Sequence, residues 1–213
     1  IGRKLGDVIR RAADEGHEVG FHAWDHHAWQ VHLEAMDAAA IRRSLELGVA
    51  ALTDILGRPP RCSAAAGWKC DARVLREKAA FGFDYNSDCR GDSVFRPLVD
   101  GAAGTPQIPV TLPTYDELIG TRGVDAASYN TRLLALVHSG RLNVLTIHAE
   151  VEGIACAPLF DDFLVQARAA GVSFCPLGQL LPAPEAIPLG TIRADELAGR
   201  EGWVCLQAAA PRG

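Results

Sequence analysis

The 213-residue sequence is 48% hydrophobic and 22% charged, which supplies the apolar side chains of one large core and excludes an intrinsically disordered chain. Its net charge of −5 and the lack of a dense lysine or arginine cluster exclude a nonspecific nucleic-acid binder. No apolar run approaches the roughly 20 residues that are needed to span a bilayer.

The spacing of apolar residues predicts helices alternating with strands. Helical spacing occurs near residues 5–15, 37–56, 71–80, 125–139 and 158–170. Short apolar segments between the helices predict six strands, with the sequences "HEVGFH", "RCSAAAG", "FDYNSD", "IPVTLP", "NVLTIH" and "VSFCPL". This alternation indicates an α/β fold with a parallel sheet, either a barrel or a doubly wound sheet.

The domain organisation follows from where the alternation stops. Residues 1–181 form one predicted α/β domain, whereas residues 182–213 are rich in Pro and Ala, less periodic, and predicted to be a C-terminal extension of uncertain structure. The six cysteines form no CxxC pair, and several lie in apolar stretches. We therefore predict free, mostly buried thiols in a reducing compartment.

Polar side chains recur at the carboxyl ends of the predicted strands. They are His22, Ser63, Asp88, Asp116 and His148. In α/β barrels this face carries the active site, so we expect these five strands to direct their chemistry at one mouth.

Five of the seven histidines lie between residues 16 and 32, and two of these five suggest a metal site. His22 and His26 are spaced i, i+4, which brings both imidazoles to one side of a helical turn. Trp24 and Trp29 flank them and could wall the site. The alternative is that these histidines lie at a solvated helix start or hydrogen-bond within a core.

His148 differs from the other histidines because a rigid, apolar strand precedes it. This placement favours a general acid with a pKa near the working pH. The alternative is a core histidine whose hydrogen bonds are satisfied within the protein.

Several stretches of the sequence resemble motifs of a known family. "HAWDH", residues 22–26, resembles the second motif of the polysaccharide deacetylase superfamily, also called the NodB-homology or carbohydrate esterase family 4 domain. The third, fourth and fifth motifs correspond to "SAAAGW" (63–68), "SDCRG" (87–91) and "LTIH" (145–148). The strings "IPVTLPTYDE" and "LTIHAEVEG" resemble most closely the deformylase branch, which acts on 4-deoxy-4-formamido-L-arabinose carried by undecaprenyl phosphate.

The resemblance implies a fold, a cofactor and site residues. The fold would be the distorted (β/α) barrel of NodB-homology domains. His22 and His26 would be two of three protein ligands to a divalent metal ion, zinc, manganese or cobalt, and His148 would be the catalytic acid. Substrate-binding or supporting roles are expected for Trp24, Ser63, Trp68, Asp88, Arg90 and Asp116.

Two departures from the family pattern affect the expected site. In the family, the first motif normally supplies two aspartates, one as the third metal ligand and one as the catalytic base. In this sequence Asp7 and Asp14 lie in a predicted helix and do not match that motif. We therefore expect the N-terminal strands of the domain to be missing. Ser63 stands where many members have an arginine that orients the base. Arg61 and Arg90 are candidates for that role.

The resemblance also implies where the protein acts. A lipid-carried amino-sugar substrate places the enzyme at the bacterial inner membrane, peripherally bound on the cytoplasmic face. Asp116, Glu117 and Glu150 could bind sugar hydroxyls or be solvated loop acids, and we predict the second for Glu117. The alternatives are a deacetylase of N-acetylated polysaccharide from the same superfamily, and a catalytically incomplete module that binds a sugar lipid.

Overall fold

The computed structural model of the chain describes residues 2–209 and contains seven α-helices and six strands within that range. The α-helices are α1 (Gly2–Asp14), α2 (His26–His32), α3 (Ala38–Leu56), α4 (Ala72–Lys78), α5 (Tyr115–Leu118), α6 (Ala126–Leu134) and α7 (Ala157–Ala169). The strands are β1 (Cys62–Ser63), β2 (Tyr85–Asn86), β3 (Arg96–Val99), β4 (Ala102–Ala103), β5 (Leu189–Glu196) and β6 (Trp203–Ala209).

Five extended segments lie side by side in the order in which they occur along the chain. Phe21 forms a parallel bridge with Ser63, β1 pairs in parallel with β2, and Asn86 bridges in parallel to Gln107. The segment that follows Gln107 lies beside the segment at Val144, because the carbonyl of Val144 accepts a hydrogen bond from the backbone N–H of Leu112 at 3.0 Å. Sequential parallel winding of this kind is the pattern of α/β barrels, and it confirms the predicted α/β class.

Helix α3 shows how local sequence fixes an element against this array. The Asp37 carboxylate caps its first turn by accepting the Ala40 N–H at 2.8 Å, and Gly57 ends it in a left-handed conformation, with φ 70°. A Cβ on Gly48 would overlap the Phe21 ring. The missing side chain therefore lets α3 pack directly on the first segment of the array.

The predicted helices are confirmed, with boundaries that shift by a few residues and a helix α6 that ends at Leu134 instead of residue 139. Four predicted strands were wrong as regular strands in the described chain: "IPVTLP", "NVLTIH", "VSFCPL" and "HEVGFH", the last of which has only the bridge at Phe21. Two prolines, Pro109 and Pro113, remove backbone donors from the first of these segments, so it pairs only through isolated bridges and single hydrogen bonds.

The segment after residue 181 has regular structure. Strands β5 and β6 form an antiparallel hairpin, and β5 also pairs in parallel with β3. Both backbone groups of Arg90 bond to β6, because its N–H donates to Cys205 at 2.9 Å and its carbonyl accepts from Gln207 at 2.8 Å. The hairpin is thus tied to the array, and a domain boundary at residue 181 stays a prediction.

The cysteines and the helices complete the comparison with the sequence. All six cysteines are free, and Cys62, Cys70, Cys89 and Cys205 are buried, as predicted. Within residues 2–209, no helix combines the length and the apolar character that crossing a bilayer requires.

Replacing Gly48 with alanine tests the packing of α3. Alanine normally stabilises a helix interior by about 1 kcal/mol relative to glycine, but here the new Cβ overlaps Phe21, so we expect destabilisation of about 1–3 kcal/mol. Gly6→Ala in α1 is the matched control, because its Cβ would meet Ile55 at an ordinary 3.6 Å. Urea unfolding measures both, and equal stabilisation by the two substitutions would contradict the proposed packing.

Candidate functional site

The histidine pair lies where the first extended segment turns into α2. His22 directly follows the bridge at Phe21, and Ala23 turns the chain with a positive φ of 51°, a conformation that non-glycine residues rarely adopt. Asp25 caps α2 by accepting the Ala28 N–H at 2.8 Å, so that His26 is the first residue of the helix. The ring centroids of His22 and His26 are 5.1 Å apart. The two imidazoles therefore lie close together as predicted, but through the turn at Ala23 and not on one helical turn, because α2 begins only at His26.

A backbone hydrogen bond defines which nitrogen of His22 is available. Its Nδ1 lies 3.1 Å from the carbonyl oxygen of Ala64. Because a carbonyl only accepts, Nδ1 carries the proton and donates, which leaves the Nε2 lone pair free. Metal-binding histidines are usually oriented by a hydrogen bond of this kind.

The surroundings of His22 keep its ring neutral. Desolvation by the surrounding protein lowers the pKa of His22 below its ordinary value, although the hydrogen bond to Ala64 opposes this. The charges of His26 and Lys78 lower the pKa further, whereas Asp88 raises it. Neutral imidazole is the form that binds a metal ion.

A buried ion pair is within electrostatic range of His22. The Lys78 ammonium donates to Asp88 Oδ1 at 2.6 Å and to Ser63 Oγ at 2.8 Å, and the side chains of Lys78 and Asp88 are 1% and 0% exposed. Gln107 donates to the second oxygen of Asp88 at 3.1 Å, and Ser63 donates to Asn86 Oδ1 at 2.6 Å. The network thus joins side chains from β1, β2, α4 and the segments that follow β2.

Ser63 and Asp88 are both buried within this network, and a supporting role in catalysis stays a prediction for each. The sequence reading missed Lys78, although a signal existed: Lys78 follows the buried Val74 and Leu75 at i+4 and i+3, on the inner face of α4. Arg61, a candidate partner for the base, lies elsewhere and pairs with Asp84 at the surface.

A second cluster of charges surrounds Glu117. Its carboxylate accepts from Arg90 Nη1 at 2.7 and 2.8 Å, from Arg200 Nε at 2.7 Å, and from the backbone N–H of Thr114 at 3.0 Å. The Glu117 side chain is only 5% exposed, so the prediction of a solvated loop acid was wrong. Burial raises the pKa of Glu117, but the hydrogen bonds from Arg90 and Arg200 outweigh it and the pKa is lowered.

The three tryptophans named from the sequence differ in position. Trp24 is 47% exposed beside the histidines. Trp29 is buried and donates its ring N–H to the Lys69 carbonyl at 2.9 Å, so it belongs to the core and does not wall the site. Trp68 is also buried, and its ring lies 4.9 Å from the Arg90 guanidinium and 4.8 Å from that of Arg200.

Asp116 and His148 occupy the later segments. Asp116 is exposed and contacts Arg200 and Thr114 at the start of α5. His148 donates its backbone N–H to the buried Glu152 carboxylate at 2.7 Å, and its carbonyl accepts from Val151 and Glu152. Convergence of the His148 ring with the histidine pair stays a prediction.

The histidine pair suits part of a metal site. The free Nε2 of His22 and the adjacent ring of His26 supply two nitrogen donors of the type that zinc and cobalt accept. Within residues 2–209, no three His, Cys, Asp or Glu side chains are grouped so that they could hold a metal ion. The described residues therefore offer two candidate nitrogen donors, and metal binding by His22 and His26 stays a prediction.

Separating the buried pair tests its importance for the fold. Lys78→Met leaves an unpaired buried carboxylate, and Asp88→Asn leaves an unpaired buried ammonium, so each should lower the free energy of unfolding by about 3–5 kcal/mol. The double variant should lose less than the sum of the single losses. Chemical denaturation measures this, with the exposed Arg61→Met as control. Losses no larger than the control's would contradict the ion pair.

The lowered pKa of Glu117 predicts a pH-dependent stability. A carboxyl with a lower pKa when folded stabilises the protein above its unfolded pKa of about 4.3, and that contribution disappears as the pH falls through the folded pKa. Glu117→Gln should therefore be less stable than the parent at about pH 7, and the difference should shrink at about pH 3. Urea unfolding across this range checks it, and a constant difference would contradict the assignment.

Comparison with known proteins places these features in a family. Residues 2–86 match the polysaccharide deacetylase family. The chain is 48% identical over 209 residues to a Shewanella sediminis protein named "Probable 4-deoxy-4-formamido-L-arabinose-phosphoundecaprenol deformylase ArnD", covering 98% of this chain and 68% of that protein. A Wigglesworthia glossinidia brevipalpis protein of the same name is 39% identical, with 97% and 74% covered.

Solved structures share the fold at low sequence identity. A polysaccharide deacetylase structure from Pseudomonas aeruginosa superposes with a TM-score of 0.64 at 20% identity, covering 84% of this chain and 63% of that one. A family 4 acetyl xylan esterase from Clostridium thermocellum, solved with a cobalt ion, gives 0.55 at 17% identity, covering 83% and 70%. The chain spans slightly less than two thirds of the Pseudomonas structure. These matches confirm the NodB-type fold, and the chain belongs to the polysaccharide deacetylase family, alongside the ArnD deformylases.

Proposed function

We propose that this protein is a metal-dependent amide hydrolase that removes the formyl group from 4-deoxy-4-formamido-L-arabinose linked to undecaprenyl phosphate. The observation that carries the proposal is the histidine pair, with the tautomer of His22 fixed by Ala64. The named activity of relatives at 48% and 39% identity supports the choice of substrate.

The reaction breaks the amide bond between the formyl carbon and the sugar nitrogen. Water supplies the oxygen that joins the formyl carbon, and the nitrogen takes a proton, so the products are formate and a free amine. His22 and His26 would hold the divalent metal ion, which supplies a polarised formyl oxygen and water that ionises near neutral pH. The metal's identity is open among zinc, manganese and cobalt.

His148 is proposed to deliver the proton to the departing nitrogen, because an amine leaves readily only once it is protonated. Glu152 fixes the turn that carries His148 by accepting its backbone N–H at 2.7 Å, and the Glu152 N–H donates in turn to the His148 carbonyl at 2.9 Å. These two contacts hold the backbone of the proposed acid in place. Neither contact uses the imidazole ring.

The proposed product and its lipid carrier suggest what the reaction achieves and where in the cell it takes place. The free amine makes the sugar cationic, and transfer of such a sugar to lipid A would weaken the attraction of cationic antimicrobial peptides, the basis of polymyxin resistance. A substrate carried on a lipid requires the enzyme to work at a membrane surface, which we propose is the cytoplasmic face of the inner membrane. Trp24, exposed beside the histidines, suits a contact with the headgroup region.

Metal binding tests the histidine pair directly. Titration with zinc or manganese should show a binding site that His22→Ala and His26→Ala each weaken by at least about 100-fold. His27→Ala is the matched control, because His27 is an exposed neighbour of His26 on the same helix and should leave the affinity unchanged. Equal affinity in the parent, both variants and the control would contradict the proposed ligands.

Product analysis tests the reaction. The metal-loaded protein should release formate from the formamido-arabinose lipid, and His148→Ala should lower kcat by roughly 100-fold or more while metal affinity stays intact. An N-acetylglucosamine oligomer should release no acetate. Acetate release without formate release would favour the deacetylase alternative, and binding of the sugar lipid with neither product would favour the incomplete binding module.

A further inference from the structure

We propose that Arg200, at the tip of the β5–β6 hairpin, is a positioning residue that holds the Asp116 carboxylate where it binds ring hydroxyls of the sugar. The inference rests on the proposed function, since that function supplies the sugar. The family match ends at residue 86, so it assigns no role to the hairpin.

Arg200 reaches three residues around the start of α5. Its Nη1 lies 3.2 Å from Asp116 Oδ2, and its Nη2 donates to Asp116 Oδ1 at 3.2 Å and to Thr114 Oγ1 at 2.7 Å. Its Nε donates to the buried Glu117 at 2.7 Å. A guanidinium has a planar, fixed set of donors, so these contacts fix the orientation of the Asp116 side chain.

Asp116 keeps capacity for a ligand after these contacts. Its Oδ1 accepts from Thr114 and Arg200, but its side chain is 55% exposed, compared with 5% for Glu117. A carboxylate offers about four acceptor positions, so the exposed part of Asp116 can accept hydroxyl donors. Neighbouring hydroxyls of a pyranose are donors of suitable spacing for one carboxylate, and hydrogen bonds to a charged acceptor are the stronger kind.

A chain of contacts links Arg200 to helix α2, which begins at His26. A Cβ on Gly67 would overlap the Gln30 side chain of α2, so α2 lies against the turn at residues 66–68. The next residue of that turn, Trp68, has its ring 4.8 Å from the Arg200 guanidinium. The exposed carboxylate of Asp116 is therefore attached, through Arg200 and Trp68, to the element that places His26.

The geometry distinguishes positioning from general stabilisation. Glu117 is buried and already neutralised by Arg90, so tying the hairpin to α5 requires only the contact from Arg200 Nε. Arg200 nevertheless directs both of its terminal nitrogens away from Glu117, to the buried Thr114 hydroxyl and to the exposed Asp116 carboxylate. Those contacts order an exposed carboxylate, which carries an entropic cost that a bound ligand would offset.

Binding of a small probe tests this without requiring turnover. The probe is the methyl glycoside of 4-deoxy-4-formamido-L-arabinose, titrated into the parent and into Arg200→Met, Asp116→Asn and the double variant. Each single variant should bind about tenfold more weakly, and the double variant no more weakly than either single one, because both remove the same contact. Arg200→Lys should fall between Arg200→Met and the parent, because it keeps the charge but loses the fixed fork.

Controls separate binding from folding. Arg193→Met removes another arginine of the same hairpin, one that pairs with Asp195 on an exposed strand, and it should bind like the parent. A 3-deoxy version of the probe should bind the parent about tenfold more weakly and show no further loss in the variants. Thermal unfolding reports whether Arg200→Met is folded, and the exposed Asp116→Asn keeps the test decisive if it is not.

The outcomes are distinct from those for the reaction itself. Three results would each overturn the positioning role. They are equally tight probe binding by Arg200→Met and Arg193→Met, losses of affinity that multiply in the double variant, and failure of the parent to bind the probe. Probe binding with the expected losses, but no formate release, would overturn the hydrolase proposal and leave the positioning role standing.

Discussion

The buried ion pair between Lys78 and Asp88 is the interaction on which the rest of the site depends. It joins helix α4 to the segment after β2, in a region that excludes water from both side chains. Two buried charges are tolerated only when they meet each other and further hydrogen-bond partners, and here Ser63 and Gln107 provide these. The pair consequently fixes the spacing of three neighbouring segments of the parallel array.

That spacing determines the geometry of the histidine pair. Ala64 follows Ser63 directly, and its carbonyl is the acceptor that fixes the tautomer of His22. A shift of the Ser63 segment would therefore move the acceptor and rotate the imidazole. The ion pair acts on His22 through geometry and also through charge, since Lys78 lowers the pKa of His22 and Asp88 raises it. With the two charges opposed, burial remains the main reason that the ring is neutral.

The sequence predicted those features that are set by local physics. Helix α3 was foreseen because its cap at Asp37, its apolar spacing and its stop at Gly57 are all encoded within about one helix length. The proximity of His22 and His26 was foreseen from their spacing, but the turn at Ala23 that produces it was not, because a non-glycine residue rarely adopts a positive φ. Regular strands were overpredicted because apolar composition does not reveal whether partner segments offer a continuous ladder of hydrogen bonds.

Features that depend on distant partners escaped the sequence reading. Glu117 resembles a solvated loop acid until Arg200, 83 positions further along, is known to contact it. Lys78 was passed over because lysine is rarely buried, although its position on the inner face of α4 was visible. The hairpin after residue 181 was not foreseen, because its apolar residues pack into hydrophobic clusters formed by distant segments and form no periodic core of their own.

Charge neutrality links the two buried clusters to the proposed chemistry. Lys78 and Asp88 cancel, and Arg90 and Arg200 are matched by Asp116 and Glu117. Each cluster therefore has no net charge. Neither would repel a metal ion from the histidines or attract it away from them. A metal bound by His22 and His26 would therefore meet no uncompensated charge from either cluster, so its charge would be offset only by its own ligands and would act on the formyl oxygen.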